Sequence, residues 1–341
     1  MCWALFSLPL FLYNVSAMKI GDIEIKGHVV LGPMAGITTL AYREFMKPFG
    51  VGLSYSEMVS DCGLDYKNKR TYEYLATSKE DRPIGIQLFG FSLEHALPAI
   101  KICEEKCDYD ILDINLGCPV TKVVKTGAGS AWLKDPESLY LYIKGIVEAS
   151  HKPVTAKIRL GWDENSVNVF EVAKKLEQAG IAGLTVHSRT RAQGYSGFAD
   201  HSRIAGLKET LSIPLIVSGD IFTPEDAKKA IEITHADAVM VARGAVGHPY
   251  LVTQINHYLA TGERLPDPTP AQQAQYALDF SHRLIALKGE TTAVRELRGI
   301  LPHFFSGYPG YKKLRGEIAL NIKTTKEVEL LLNGVIERGS C

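Results

Sequence analysis

The sequence predicts an α/β chain: a (β/α)₈ TIM barrel followed by a small C-terminal all-helical domain. Three observations lead there. Eight short runs rich in Val, Ile and Leu recur between about Gly27 and Leu259. Most are continuously hydrophobic and not alternating, as strands of a parallel sheet covered by helices must be. Amphipathic stretches of helical period separate them, and after Leu259 only helical spacing continues.

The runs are HVVLGPMAG (28–36), VGLSYSEM (51–58), PIGIQLFG (83–90), YDILDINLG (109–117), PVTAKIRLG (153–161), AGLTVHSR (182–189), IPLIVSGD (213–220) and ADAVMVARG (236–244). Eight strand–helix units close most naturally into a barrel, with an open doubly wound sheet as the alternative. Between runs, Val169, Val172, Ala173 and Leu176 share one face of a helix over Val167–Gln178. Thr223-Pro224-Glu225-Asp226 reads as an N-cap, a first-position proline and acids in the first turn. The proline-rich connector Thr261–Pro270 fits neither helix nor central strand. Beyond it Ala277, Phe280, Leu284 and Leu287 lie at helical spacing, as do Val294, Leu297, Leu301 and Phe304, and Val328, Leu331, Leu332 and Val335. The expected division is an apolar extension at 1–17 outside the fold, a barrel at 18–262 and a helical domain at 263–341. Residues 1–17 lack the basic flank of a secretory leader and are too short and interrupted for a membrane span.

Composition narrows the functional classes. Lys+Arg and Asp+Glu both total 38, so the chain has no net field to draw it to nucleic acid or a membrane. The six cysteines form no CxxC and no paired framework, which reads as a reduced, cytoplasmic protein with no metal site. No obligate protein partner is evident.

In a barrel the chemistry sits at the C-terminal strand ends. There the sequence places Pro33-Met34-Ala35-Gly36, Gln87, Asn115-Leu116-Gly117-Cys118-Pro119, Lys157, Arg159, His187, Arg189, Ser218-Gly219-Asp220 and Ala242-Arg243-Gly244. The last two loops suggest a phosphate: Gly219 and Gly244 let backbone N–H groups approach an anion, and Arg243 can grip it. For either glycine alone a tight turn explains as much. No GxGxxG after the first strand and no Walker loop is present, which argues against a dinucleotide fold. A flavin mononucleotide fits better. Gln87 and Lys157 suit its pyrimidine edge, and Met34 with the Pro33–Gly36 backbone suits its ring. Lys157 reads equally as an internal ion pair or a Schiff-base lysine, and His187 as a structural histidine.

The block LDINLGCPVTKVVKTGAGS (112–130) resembles the signature of tRNA-dihydrouridine synthases. GPMAG (32–36), IQLFG (86–90), AKIRLGW (156–162), TVHSRTRAQGYSG (185–197), VSGDI (217–221) and VARGAVGHP (241–249) follow in the order of the bacterial branch. The resemblance implies a barrel with a helical domain that reduces the C5=C6 bond of uridines in tRNA, with FMN as carrier and NADPH or NADH as reductant. It implies flavin contacts at Pro33, Met34, Ala35, Gln87, Lys157 and His187. The phosphate contacts would be Ser218, Gly219, Asp220, Ala242 and Arg243, with Cys118 as proton donor. Ser218 and Ala242 depart from the family's usual Asn and Gly. Asn115 and Arg159 at the mouth, and Arg295 and Arg298 in the helical domain, are the candidate substrate contacts. From Ser281 to Lys323 eight Lys/Arg face three Glu, with Phe304, Phe305, Tyr308 and Tyr311 interleaved as possible stacking platforms. An FMN-dependent dihydropyrimidine or dihydroorotate dehydrogenase is the alternative, followed by a Schiff-base aldolase and a non-enzymatic tRNA-binding protein.

Overall fold

A computed structural model describes Met18–Gly339; the expectation for residues 1–17 lies outside the described residues. An antiparallel hairpin, β1 (Met18–Ile20) and β2 (Ile23–Ile25), precedes the barrel. All eight predicted runs then form strands: β3 (Val29–Leu31), β4 (Leu53–Ser60), β5 (Ile84–Phe89), β6 (Ile111–Asn115), β7 (Val154–Arg159), β8 (Gly183–His187), β9 (Leu215–Ser218) and β10 (Ala238–Val241). They close into one parallel barrel in sequence order, β10 pairing with both β9 and β3. The hairpin was not foreseen, because three-residue strands carry no readable period. Its Ile20 and Ile25 are fully buried in a cluster with Val30, Leu53, Ile111 and Ile216, near the strand starts. That cluster closes the N-terminal end and leaves the opposite end as the mouth.

Strand register sets the chemistry level around the mouth. Gln87 pairs with Asp113, Asn115 with Lys157, Arg159 with His187, and His187 with Ser218. Local signals between strands act as read. Asn168 precedes the helix Val169–Gln178, which buries the four predicted residues. Thr223 and Asp226 form a reciprocal capping box at Pro224–Thr234.

After the connector, helices Pro270–Lys288, Glu290–Ile300, Lys312–Asn321 and Thr325–Gly339 follow. They join the barrel through an aromatic cluster on its first helix, Leu40–Met46. Phe280 lies 5.5 Å from both Tyr42 and Phe45, and Phe304 lies 6.2 Å from Phe45. Leu287 lies on the first of these helices, as its spacing requires, and is 42% exposed. One expectation changes here. Phe304 and Phe305 are fully buried, so neither can stack on a base; Tyr311 stacks on Phe305, and the Tyr308 hydroxyl donates to the Pro268 carbonyl. Among the described residues no helix is long and apolar enough to cross a membrane.

Candidate active site

The mouth is organised by a buried relay of hydrogen bonds. On β6 the polar residues Asp113 and Asn115 sit at period two and point inward between Leu112 and Ile114. Asp113 accepts from the Thr155 hydroxyl and from the Gln87 amide, both at 2.6 Å. Asn115 donates to Gln87 Oε1 at 2.8 Å, and its own Oδ1 accepts from the backbone N–H of Cys118 at 2.9 Å and of Gly117 at 3.2 Å. The Asp113 carboxylate thus orients Gln87, Gln87 orients Asn115, and Asn115 pins the loop carrying Cys118. Burial dominates at Asp113 and pushes its carboxyl up to about 6, against its hydrogen bonds and the Lys157 charge. Gln87 is fully buried with both ends of its amide engaged, which makes it a support for Asn115.

Cys118 is 6% exposed, and burial pushes its thiol up; the N–H of Val120 and the charges of Arg159 and Lys157 act the other way. The resting group is a thiol, with two cations near enough to ease loss of its proton. Lys157 faces the open cleft, and no described residue offers its ammonium a hydrogen bond or ion pair. Burial, then Arg159, lowers it to about 8. Arg159 is 2% exposed and donates to the carbonyls of Gly117 (2.8 Å), Thr190 (3.0 Å) and Gly194 (2.8 Å), bracing the loops after β6 and β8. His187 is buried, and burial followed by the surrounding cations holds it neutral.

On the far side, a cleft of ≈ 580 Å³ open to solvent is lined by Pro33 and Met34 on one flank and by Ser218–Phe222 and Ala242–Gly244 on the other. Ala35 is exposed just outside. Gly219, at φ +122°, lies so close to its neighbours that a Cβ would sit 2.7 Å from Ala199 Cβ and 2.9 Å from His187 Cδ2. Gly244 is similarly pressed against the Ile221 carbonyl. Internal packing therefore requires both glycines. Asp220, at φ +49°, is held by Arg189 through two hydrogen bonds of 2.9 and 2.6 Å and accepts the Ala199 N–H at 2.8 Å. Its carboxyl stays low because Arg189 and that N–H outweigh its burial. Arg243 reaches Asp220 at 3.1 Å but remains 48% exposed, its guanidinium 4.7 Å from the Tyr195 ring.

The barrel-end residues of the expected site converge at this mouth. Arg295 and Arg298 sit instead on the helix Glu290–Ile300. There Arg298 donates to the Ile322 carbonyl at 2.8 Å, while Arg295 is exposed. Sequence reasoning passed over Asp113 and Thr155, and it placed Arg189 at the mouth without giving it a role. For Asp113 a signal existed: a carboxylate two residues before Asn115 in an otherwise apolar strand must share its face.

Residues 30–338 match the profile of the dihydrouridine synthase (Dus) family. The chain belongs to that family. It is 38% identical over 304 residues to a probable tRNA-dihydrouridine synthase of Rickettsia conorii, covering 89% of this chain and 92% of that one. It is 36% identical to tRNA-dihydrouridine synthase B of Pseudomonas aeruginosa, over 89% and 91%. Among solved structures, an amine oxidase acting on 6-hydroxypseudooxynicotine from Pseudomonas geniculata aligns with a TM-score of 0.55 at 14% identity, over 77% of this chain and 52% of that one. A histamine dehydrogenase from Rhizobium aligns at 0.53 and 12%, over 79% and 50%. This family member spans about half of those longer chains, and the likeness concerns the barrel fold alone.

Proposed function

We propose that this chain is a cytoplasmic tRNA-dihydrouridine synthase that reduces the C5=C6 bond of uridine in tRNA, using FMN and NAD(P)H. The observation that carries the reading is a protonated, relay-positioned Cys118 thiol beside the unpartnered Lys157 ammonium at the mouth of a barrel of this family. FMN, when bound, would supply the hydride delivered to uracil C6.

The residues present fit that cofactor. Lys157 offers a cation with no protein partner to the pyrimidine edge of the ring, and Met34 and Pro33 offer a flank for its face. The half-exposed Arg243 offers a guanidinium to the phosphate. Ser218 and Ala242 line the same cleft in place of the family's usual Asn and Gly. Neutral His187 can donate one hydrogen bond without adding charge.

Addition at C6 leaves negative charge on C5 and O4 of the base, and a proton must arrive at C5. Cys118 holds one at neutral pH and stands where Asn115 and Gly117 fix its loop. As the proton leaves, Lys157 and Arg159 offset the charge on sulfur. A stacked uridine cannot reach this mouth, so the base must be turned out of the RNA. The proposed division of labour gives the reaction to residues 18–262 and the grip on the tRNA to 263–341. There Arg295, Lys312, Lys313, Arg315 and Lys323 are exposed.

Cys118→Ala tests the reading with the two half-reactions followed separately. NAD(P)H should bleach the flavin at near the normal rate, and reoxidation by tRNA should slow by roughly 10²–10⁴-fold. Undiminished reoxidation would remove Cys118 from the mechanism. Turnover of free dihydropyrimidines in place of tRNA would favour the small-molecule dehydrogenase.

A further inference from the structure

We propose that Lys134, Trp162 and Arg191 form a phosphodiester-binding site on the rim of the mouth, gripping the RNA strand beside the base that enters. The inference rests on the tRNA reading above and adds a contact on the barrel itself, apart from the C-terminal helices.

Three successive loops meet at Trp162. Lys134 ends the turn Gly129–Lys134 after β6, Trp162 follows β7, and Arg191 follows β8. The Lys134 ammonium lies 3.5 Å from the centroid of the indole ring and the Arg191 guanidinium 4.4 Å from it. Backbone bonds hold the loops together: Arg191 N–H donates to the Gly161 carbonyl and Ala192 N–H to the Trp162 carbonyl, both at 2.9 Å. The Gly129–Lys134 turn is tied to the catalytic loop, since Ser130 N–H donates to the Cys118 carbonyl at 3.2 Å. Arg159 braces the same loops from beneath, at Gly117 and Gly194.

Two like charges gathered on one ring repel each other, and an anion relieves that cost. Among the described residues neither Lys134 nor Arg191 has a carboxylate partner, and Arg191 Nε is buried with no acceptor. The nearby acids are occupied. Asp135 caps the next helix through Ser138, Asp163 accepts from Asn165 N–H and the Ser166 hydroxyl, and Glu164 pairs with Arg203. None of the three residues lines the cleft between β9, β10 and β3, so these cations are not the flavin's phosphate site. They stand on the arc of the mouth that carries Cys118, where the strand flanking a turned-out uridine must pass. A phosphodiester is the anion that strand presents.

The test is tRNA binding against salt with the full chain loaded with FMN. Lys134 is exposed, so Lys134→Gln should fold normally, with the thermal midpoint as the check. Each lost phosphate contact should lower the slope of log Kd against log salt by about 0.7–0.9. Lys134→Gln should show one such step, Lys134→Gln with Arg191→Gln two, and Lys134→Arg the wild-type slope. Reduction of the flavin by NAD(P)H should be unchanged in all three. Lys101→Gln, on an outer helix, should leave the slope alone. An unchanged slope in the double variant would overturn the proposal. So would an equal drop with Lys101→Gln, or a raised KM for NAD(P)H without a change in slope, which would assign the cations to the reductant. Wild-type protein that does not bind tRNA would sink the tRNA reading first, and this one with it.

Discussion

Asp113→Asn strikes the buried relay at its root, and its signature is a pH dependence of unusual sign. Asp113 is 1% exposed, and its carboxyl is pushed up to about 6 by burial. An unfolded aspartate titrates near 3.9, so the folded protein holds this proton more tightly than the unfolded chain. The stability Asp113 contributes is therefore fully present below about pH 4 and is lost as pH rises through 6. Two units correspond to about 3 kcal/mol. Denaturant unfolding of wild type and variant between pH 4 and 7 isolates the effect, because the other carboxylates titrate in both proteins and cancel in the difference. Wild-type stability relative to the variant should fall by about 2 kcal/mol across that window, since about half of the unfolded carboxyls are already ionised at pH 4. At neutral pH the variant should also hold the Cys118 loop less firmly. Asparagine accepts from Gln87 through a neutral bond in place of a charge-assisted one, a loss of about 1 kcal/mol. A stability difference that stays flat from pH 4 to 7 would show that Asp113 titrates normally, and the relay would lose its charged anchor.

Other perturbations probe the remaining parts of the site. Lys157 is lowered to about 8, so FMN affinity of the apoprotein should weaken as pH rises through that value and its ammonium is lost. Lys157→Gln should bind FMN at least tenfold more weakly below pH 8, the equivalent of about 1.5 kcal/mol for a charge-assisted bond, with no step near 8; equilibrium fluorescence titration reads both. Gly219→Ala should be destabilising and bind FMN poorly, since its Cβ would fall 2.7 Å from Ala199 at a φ of +122°; wild-type thermal stability would show that this turn has slack. Charge reversal at Arg295, Lys312 and Lys313 should weaken tRNA binding and lower its salt slope while leaving FMN content intact. Arg298 is a poor choice for that test, because its bond to the Ile322 carbonyl makes its loss structural.

The barrel was legible because its determinants are local and repeated. Each strand is a continuous apolar run, and caps such as Thr223–Asp226 sit in the sequence beside the helix they start. What escaped was decided by packing between distant segments. The β1–β2 hairpin is too short to show a period, and it forms because Ile20 and Ile25 find the open end of a barrel made by residues far along the chain. Phe304 and Phe305 read as available aromatics among basic residues, yet they complete an apolar cluster with Tyr42, Phe45 and Phe280. Charge clustering in sequence says which side chains are near in number; it does not say which face they take.

The site divides along the same line. Strand-end position put Cys118, Lys157, His187 and Arg243 at one mouth, because in a barrel the topology alone brings strand ends together. It could not distinguish residues that meet a ligand from residues that hold them. Arg159 shows the difference: as an arginine at the mouth it reads as a substrate contact, while its bonds to Gly117, Thr190 and Gly194 make it the brace between two loops. Arg189 does the same for Asp220 and for the carbonyls of Ser196 and Gly197. Two nearly buried guanidiniums thus set the spacing of the loops after β6, β8 and β9, and Lys157 and the half-exposed Arg243 are left as the cations open to a bound anion. Electrostatics follow from that arrangement. Burial, reinforced by Arg159, depresses Lys157, and burial with the surrounding cations keeps His187 neutral, so the cleft can offer a cation at one end and a neutral donor beside it.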